Sequence, residues 1–176
     1  MGGYRGLLML SRYSSKIVLI SVVVALAMLL TAQRAGAQFS NPSAGPLSAT
    51  AVPQAQQVQA AELASMLKSS GAQRPLVLQV GSHVMFAQAH IPGSVYAGPG
   101  STAAGLQLLE KAVASTPKGK LIVIYCGCCP WSRCPNVGPA FKRLHDLGFT
   151  NVKVLYIASN FGDDWVAKGY AVDKGE

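Results

Sequence analysis

Short apolar runs alternating with helix-spaced segments predict an α/β domain, with a central, mostly parallel sheet flanked by helices on both faces. The strand-like runs are apolar at nearly every position, as strands covered on both sides must be. Between them, apolar residues recur at three- and four-residue intervals, the signature of one buried helix face. About 120 residues take part, enough for a single core, and no internal repeat divides them.

The first 37 residues stand outside that pattern. Arg5, Arg12 and Lys16 form a positive start, residues 17–32 are apolar apart from Ser21 and Thr31, and Ala35-Gly36-Ala37 is a small-x-small site followed by Gln38. This is the layout of a secretory signal peptide. The apolar stretch is shorter than the roughly 20 residues of a spanning helix, so cleavage is expected after Ala37, with no stable membrane association afterwards. The expected location is exported, periplasmic or secreted. Residues 38–57 are rich in Ser, Pro, Ala and Gln and read as a flexible linker. The domain is then expected over residues 58–176.

Within the domain, residues 60–67 have helical spacing, with Leu63, Met66 and Leu67 on one face. Residues 76–80 (Leu-Val-Leu-Gln-Val) read as a buried strand. Residues 103–114 read as a helix with Leu106, Leu109 and Val113 inward. Residues 121–125 (Leu-Ile-Val-Ile-Tyr) read as the central strand. Residues 140–147 are helical and stop at Gly148, and residues 152–156 form another strand. A last helix is expected to begin at Asp163-Asp164, whose charges suit a helix start, and to end at Gly169. Trp165 belongs to the core, and His90 packs within the turn at Pro92-Gly93.

Charge narrows the function classes. The chain has 15 basic and 7 acidic residues, net +8. Four of the basic residues lie in the leader, which leaves 11 against 7 and a net charge of +4. The remaining Lys and Arg are scattered, with no basic stripe interleaved with aromatics, so nucleic acid is not an expected partner. A monomer is expected.

All four cysteines fall within one run, Cys126-Gly127-Cys128-Cys129-Pro130-Trp131-Ser132-Arg133-Cys134. Nine residues cannot staple distant parts of a fold, so these thiols point to chemistry or metal binding rather than structural disulfides. The run follows the central strand and precedes a helix. In such a place, loop amides and a helix N-terminus favour negative charge, and the pKa of Cys126 is expected to fall. Cys126 is thus the candidate nucleophile. Gly127, Cys128, Cys129, Trp131, Ser132 and Arg133 are the candidate substrate-binding residues, with Arg133 facing an anionic donor. Cys129 and Cys134 are candidate resolving thiols, able to take a persulfide or sulfenate on Cys126 to a disulfide. Zinc or copper(I) would also accept clustered thiols, but the spacing is a poor match to paired C-x2-C zinc knuckles. No metal site is assigned.

Four segments carry a family resemblance. Phe86-Ala87-Gln88-Ala89-His90-Ile91-Pro92-Gly93 resembles the F-x-x-x-H-I-P-G segment of rhodanese-like domains. Ile122-Val123-Ile124-Tyr125-Cys126 is similar to the strand that ends in their active-site cysteine. Leu147-Gly148-Phe149-Thr150-Asn151-Val152 and Trp165-Val166-Ala167-Lys168-Gly169-Tyr170 resemble their later G-F-x-N-V and W-x-x-x-G-Y segments, in family order. The resemblance implies a rhodanese-like fold and a sulfurtransferase that carries sulfane sulfur as a persulfide on Cys126. It implies a small sulfur donor or a protein thiol acceptor, and no cofactor. The loop is about five residues longer than the family's usual one, and Gln79 and Gly81 stand near positions usually held by an acidic residue and an arginine. The same loop also suits a thiol–disulfide redox module, a metal-binding module or an inactive rhodanese module.

Overall fold

The computed structural model describes residues 52–175. The expected leader, its Ala35-Gly36-Ala37 site and residues 38–51 of the expected linker lie outside the described residues. The described chain begins inside the stretch read as linker, where residues 54–56 form a 3-10 turn. Gln57–Val58 then form strand β1.

Helix α1 is Ala60–Met66, β2 is Leu76–Gln79, α2 is His83–Gln88 and β3 is Val95–Tyr96. They are followed by α3 at Ala103–Val113, β4 at Ile122–Tyr125, α4 at Val137–Asp146 and β5 at Val152–Leu155. The five strands form one sheet in the order β1-β5-β4-β2-β3. Every pair is parallel. The α/β architecture expected from the sequence is therefore observed, with β4 at the centre of the sheet.

Alternation along β4 explains the two-sided core. Ile122, Ile124 and then Cys126 face the layer containing Leu109 and Val113 of α3 and Ala140 and Leu144 of α4. Val123 and Tyr125 face the opposite layer, with Leu63 of α1, Phe161 and Trp165. A strand that buries both faces has no polar side to offer water, hence its unbroken apolar sequence. Each fully buried Leu, Ile or Val contributes about 1.5–3 kcal/mol relative to exposure. Tyr125 places a hydroxyl in this core and satisfies it: the Ile91 N–H donates to it at 3.1 Å, and Ser94 Oγ lies at 3.3 Å.

Several boundaries differ from the sequence reading. Helix α4 begins at Val137, three residues before the expected start. Pro139 falls in its first turn, where a missing N–H costs nothing. The last helical segment is one π turn, Gly162–Val166, rather than an α-helix. Its wide step is the bond from Ala167 N–H to Gly162 O at 2.8 Å, repeated from Tyr170 N–H to Trp165 O at 3.3 Å. The register keeps Trp165 buried, with its indole N–H bonded to Ala171 O at 2.9 Å. Helix α2 and strand β3 are too short to mark themselves in the sequence. His90 packs as expected: its ring stacks on Phe86 at 3.9 Å, and Nδ1 meets Phe86 O at 2.9 Å. No helix among the described residues is long and apolar enough to cross a membrane.

Candidate functional site

Cys126 stands immediately after β4, at the C-terminal edge of the central strand. It is 4% exposed. Two side chains of the core hold it. Gln79, at the end of β2, donates from Nε2 to the Cys126 carbonyl at 3.2 Å and accepts from the Gly81 N–H at 3.1 Å. Asn136, just before α4, donates from Nδ2 to Cys126 Sγ at 3.2 Å. Its Oδ1 accepts from the Ser101 N–H at 3.1 Å, which fixes the direction of the amide.

Gly127 turns the chain back on itself with φ +80. A side chain there would meet Phe161 Cβ at 2.7 Å, so conformation and space both demand glycine. The reversal brings Cys128 Sγ to 3.0 Å from Cys126 Sγ, and Cys129 Sγ to 3.2 Å from Cys128 Sγ. Cys128 is therefore in contact with Cys126 through the loop, and Cys134 hydrogen-bonds Cys126 as well. Cys134 is buried beneath the loop. Trp131 walls the outside, its ring 5.1 Å from that of Tyr156.

The remaining loop residues do not gather at Cys126. Residues 131–133 form a 3-10 turn, in which Ser132 and Arg133 are exposed. The Arg133 side chain makes no ion pair among the described residues; its carbonyl, not its guanidinium, faces Cys129 Sγ, at 3.8 Å. Part of the expected cradle of loop amides is spent elsewhere. The Trp131 N–H donates to Ala158 O, Arg133 N–H to Pro130 O and Cys134 N–H to Trp131 O. The Cys126 sulfur itself takes a side-chain amide, that of Asn136.

This arrangement opposes the expected fall in the Cys126 pKa. The hydrogen bond with Cys128, then that with Cys134, then burial push the Cys126 thiol up. Cys128 is pushed down by its hydrogen bonds with Cys126 and then Cys134, to which its own N–H adds. Burial pushes Cys129 up. Cys126 and Cys128 therefore titrate together, their sulfurs 3.0 Å apart and within proton-transfer distance. A crevice of about 10 Å³ opens beside them, lined by Cys126, Gly127, Cys129, Trp131 and Cys134. That is room for about one water-sized atom.

Sequence reasoning gave Asn136 no role of its own. An Asn ahead of a helix ordinarily reads as an N-cap. Here its side chain makes no capping bond and reaches across to Cys126 instead.

The rhodanese-like domain family model matches residues 59–156, more than half of the chain. The chain belongs to the rhodanese-like domain family. Its fold agrees with solved structures. A Bacillus halodurans protein has 24% sequence identity over 67% of this chain and 76% of its own, with a TM-score of 0.52. The solution structure of the rhodanese-like domain of an Anabaena protein has 21% identity over 68% of this chain and 79% of its own, TM-score 0.50. A persulfide-bearing EanB variant solved with ergothioneine has 17% identity, covering 69% of this chain and 32% of its own, TM-score 0.50. At these identities the likeness concerns the fold. No curated protein matches the chain.

Proposed function

We propose that this rhodanese-like domain is a sulfurtransferase that carries sulfane sulfur as a persulfide on Cys126. The observation that carries the reading is the strand-end Cys126 sulfur, with the Asn136 amide at 3.2 Å and the Cys128 sulfur at 3.0 Å. Cys126 and Cys128 hold one proton between them across the 3.0 Å contact, and the form with that proton on Cys128 leaves the Cys126 sulfur as the nucleophile. The Cys126 thiolate then attacks the outer sulfur of a donor; with thiosulfate, the donor S–S bond breaks and sulfite leaves with its electron pair. An acceptor thiolate later removes the outer sulfur and restores the Cys126 thiolate. The crevice beside Cys126 has the volume of one such atom, so the stored sulfur fits while the donor's remainder stays outside. Asn136 stabilises the anion as a neutral donor.

Small sulfur donors and protein thiol acceptors are the proposed partners. Export, with cleavage after Ala37, is the proposed fate of the leader, and a periplasmic or secreted location follows from it.

The test is sulfur transfer from thiosulfate to cyanide by the full chain. Cys126→Ser is expected to abolish transfer. Cys128→Ser is expected to slow it by roughly 10-fold or more at neutral pH, with the deficit narrowing as rising pH ionises Cys126 directly. Full activity in Cys126→Ser would overturn the assignment. Full activity with an unchanged pH profile in Cys128→Ser would remove the proton-acceptor role.

A further inference from the structure

The sulfur atoms of Cys126, Cys128 and Cys129 all lie within 4.8 Å of one another. The Gly127 reversal folds three donors from four consecutive residues onto one point. We propose that these three sulfurs form a binding site for a thiophilic d10 cation, Cu(I) in preference to Zn(II).

The dimensions fit. With metal–sulfur bonds of about 2.3 Å, a trigonal set has sulfur–sulfur edges of about 4.0 Å. The present edges of 3.0 Å and 3.2 Å open to that value by movements of about 1 Å or less. Side-chain rotation of the half-buried Cys128 and Cys129 supplies such shifts, with Cys126 held in place.

The donors select the ion. Three thiols without histidine or carboxylate form a soft set, which suits Cu(I), zinc or an iron–sulfur cluster and not magnesium or calcium. Structural zinc fills a tetrahedron with four protein ligands. Cys134 hydrogen-bonds Cys126 and Cys128 but is not within 4.8 Å of all three sulfurs, and the crevice leaves room for about one water. Cu(I) is satisfied by three soft donors, whereas Zn(II) would need that water to complete its shell.

The electrostatics also permit a cation. Convergent backbone N–H groups would repel one, but those of Trp131, Arg133 and Cys134 are bound to carbonyls, and the Arg133 side chain is exposed. Groups that do face these sulfurs, the Asn136 amide at 3.2 Å and 3.9 Å and the Cys128 N–H, are neutral donors that stabilise thiolate ligands from outside. Binding replaces the thiol protons by the ion and releases them to solvent, with no change of oxidation state. A bound ion occupies the Cys126 lone pair that sulfur transfer needs, so metal binding and transfer exclude one another.

The test is anaerobic titration of the reduced, metal-free full chain with Cu(I) in competition with bicinchoninate, with circular dichroism as the control for folding. One Cu(I) per chain is expected. Cys128→Ser and Cys129→Ser are each expected to weaken binding by at least roughly 10–100-fold with the fold unchanged, while Cys134→Ala keeps one Cu(I). Substoichiometric Cu(I) in the parent chain, or equal affinity in Cys129→Ser, would overturn the site. Equal loss in Cys134→Ala would replace it by a four-sulfur site. Displacement of Cu(I) by equimolar Zn(II) would overturn the preference. The persulfide assay has a separate readout, so either proposal can fail alone.

Discussion

Asn136 joins three parts of the protein through a single side chain. Its carbonyl oxygen is held by the Ser101 N–H, its amide points at Cys126 Sγ, and its backbone carbonyl accepts from Ala140 in α4. Asn136→Ala removes the side-chain amide that donates to the Cys126 sulfur and the acceptor of the Ser101 N–H. Losing a hydrogen bond to a charged group costs about 1.5–3 kcal/mol, so persulfide formation is expected to slow by roughly 10–100-fold. A pre-steady-state mass assay of sulfur loading measures this, and unchanged loading would show that the amide has no part in it. The cysteines themselves were legible, because four thiols in nine residues after an apolar run stand out from any background. Their division of labour was not. Which sulfur meets Cys126 depends on the +80 φ of Gly127, which brings Cys128 toward Cys126.

At the scale of elements, β4 and its neighbours position the site, and Tyr125 locks β4 to the segment after α2. Tyr125→Phe leaves the buried Ile91 N–H without its acceptor, at a cost of about 1–3 kcal/mol, read as a lower Tm at neutral pH. Burial also pushes the Tyr125 hydroxyl up to about 12. Its folded pKa lies above its unfolded value near 10. The stability of the neutral phenol is therefore complete below about pH 10 and lost as pH rises toward 12. The gap between parent and Tyr125→Phe should shrink over that window in alkaline unfolding, and a gap that widens would contradict the account. The long strands were legible because both faces are buried and nearly every residue is apolar. Strands β1 and β3, two residues each, carry no period at all. They exist because β5 and β2 offer them parallel edges. The π turn at Gly162–Val166 was equally silent, since it is set by the tertiary seat of Trp165 rather than by local preference.

For the whole molecule, membership of the rhodanese-like family and the all-parallel five-stranded sheet agree with the reading from sequence motifs. Motifs such as His90-Ile91-Pro92-Gly93 were informative because each sits where the fold needs a particular turn or anchor. The proposed export is a property of the chain beyond its domain. Expression in a secreting host should yield mature protein beginning at or near Gln38, as read by N-terminal mass, and full-length chain recovered from membranes would contradict it. The central claim, sulfur storage on Cys126, is tested most directly by the intact mass of reduced, metal-free protein after incubation with a sulfane-sulfur donor. The account predicts a gain of one sulfur mass, localised to Cys126 by fragmentation, removed by a reductant and absent in Cys126→Ser. No gain in the parent chain, or an equal gain in Cys126→Ser, would contradict it.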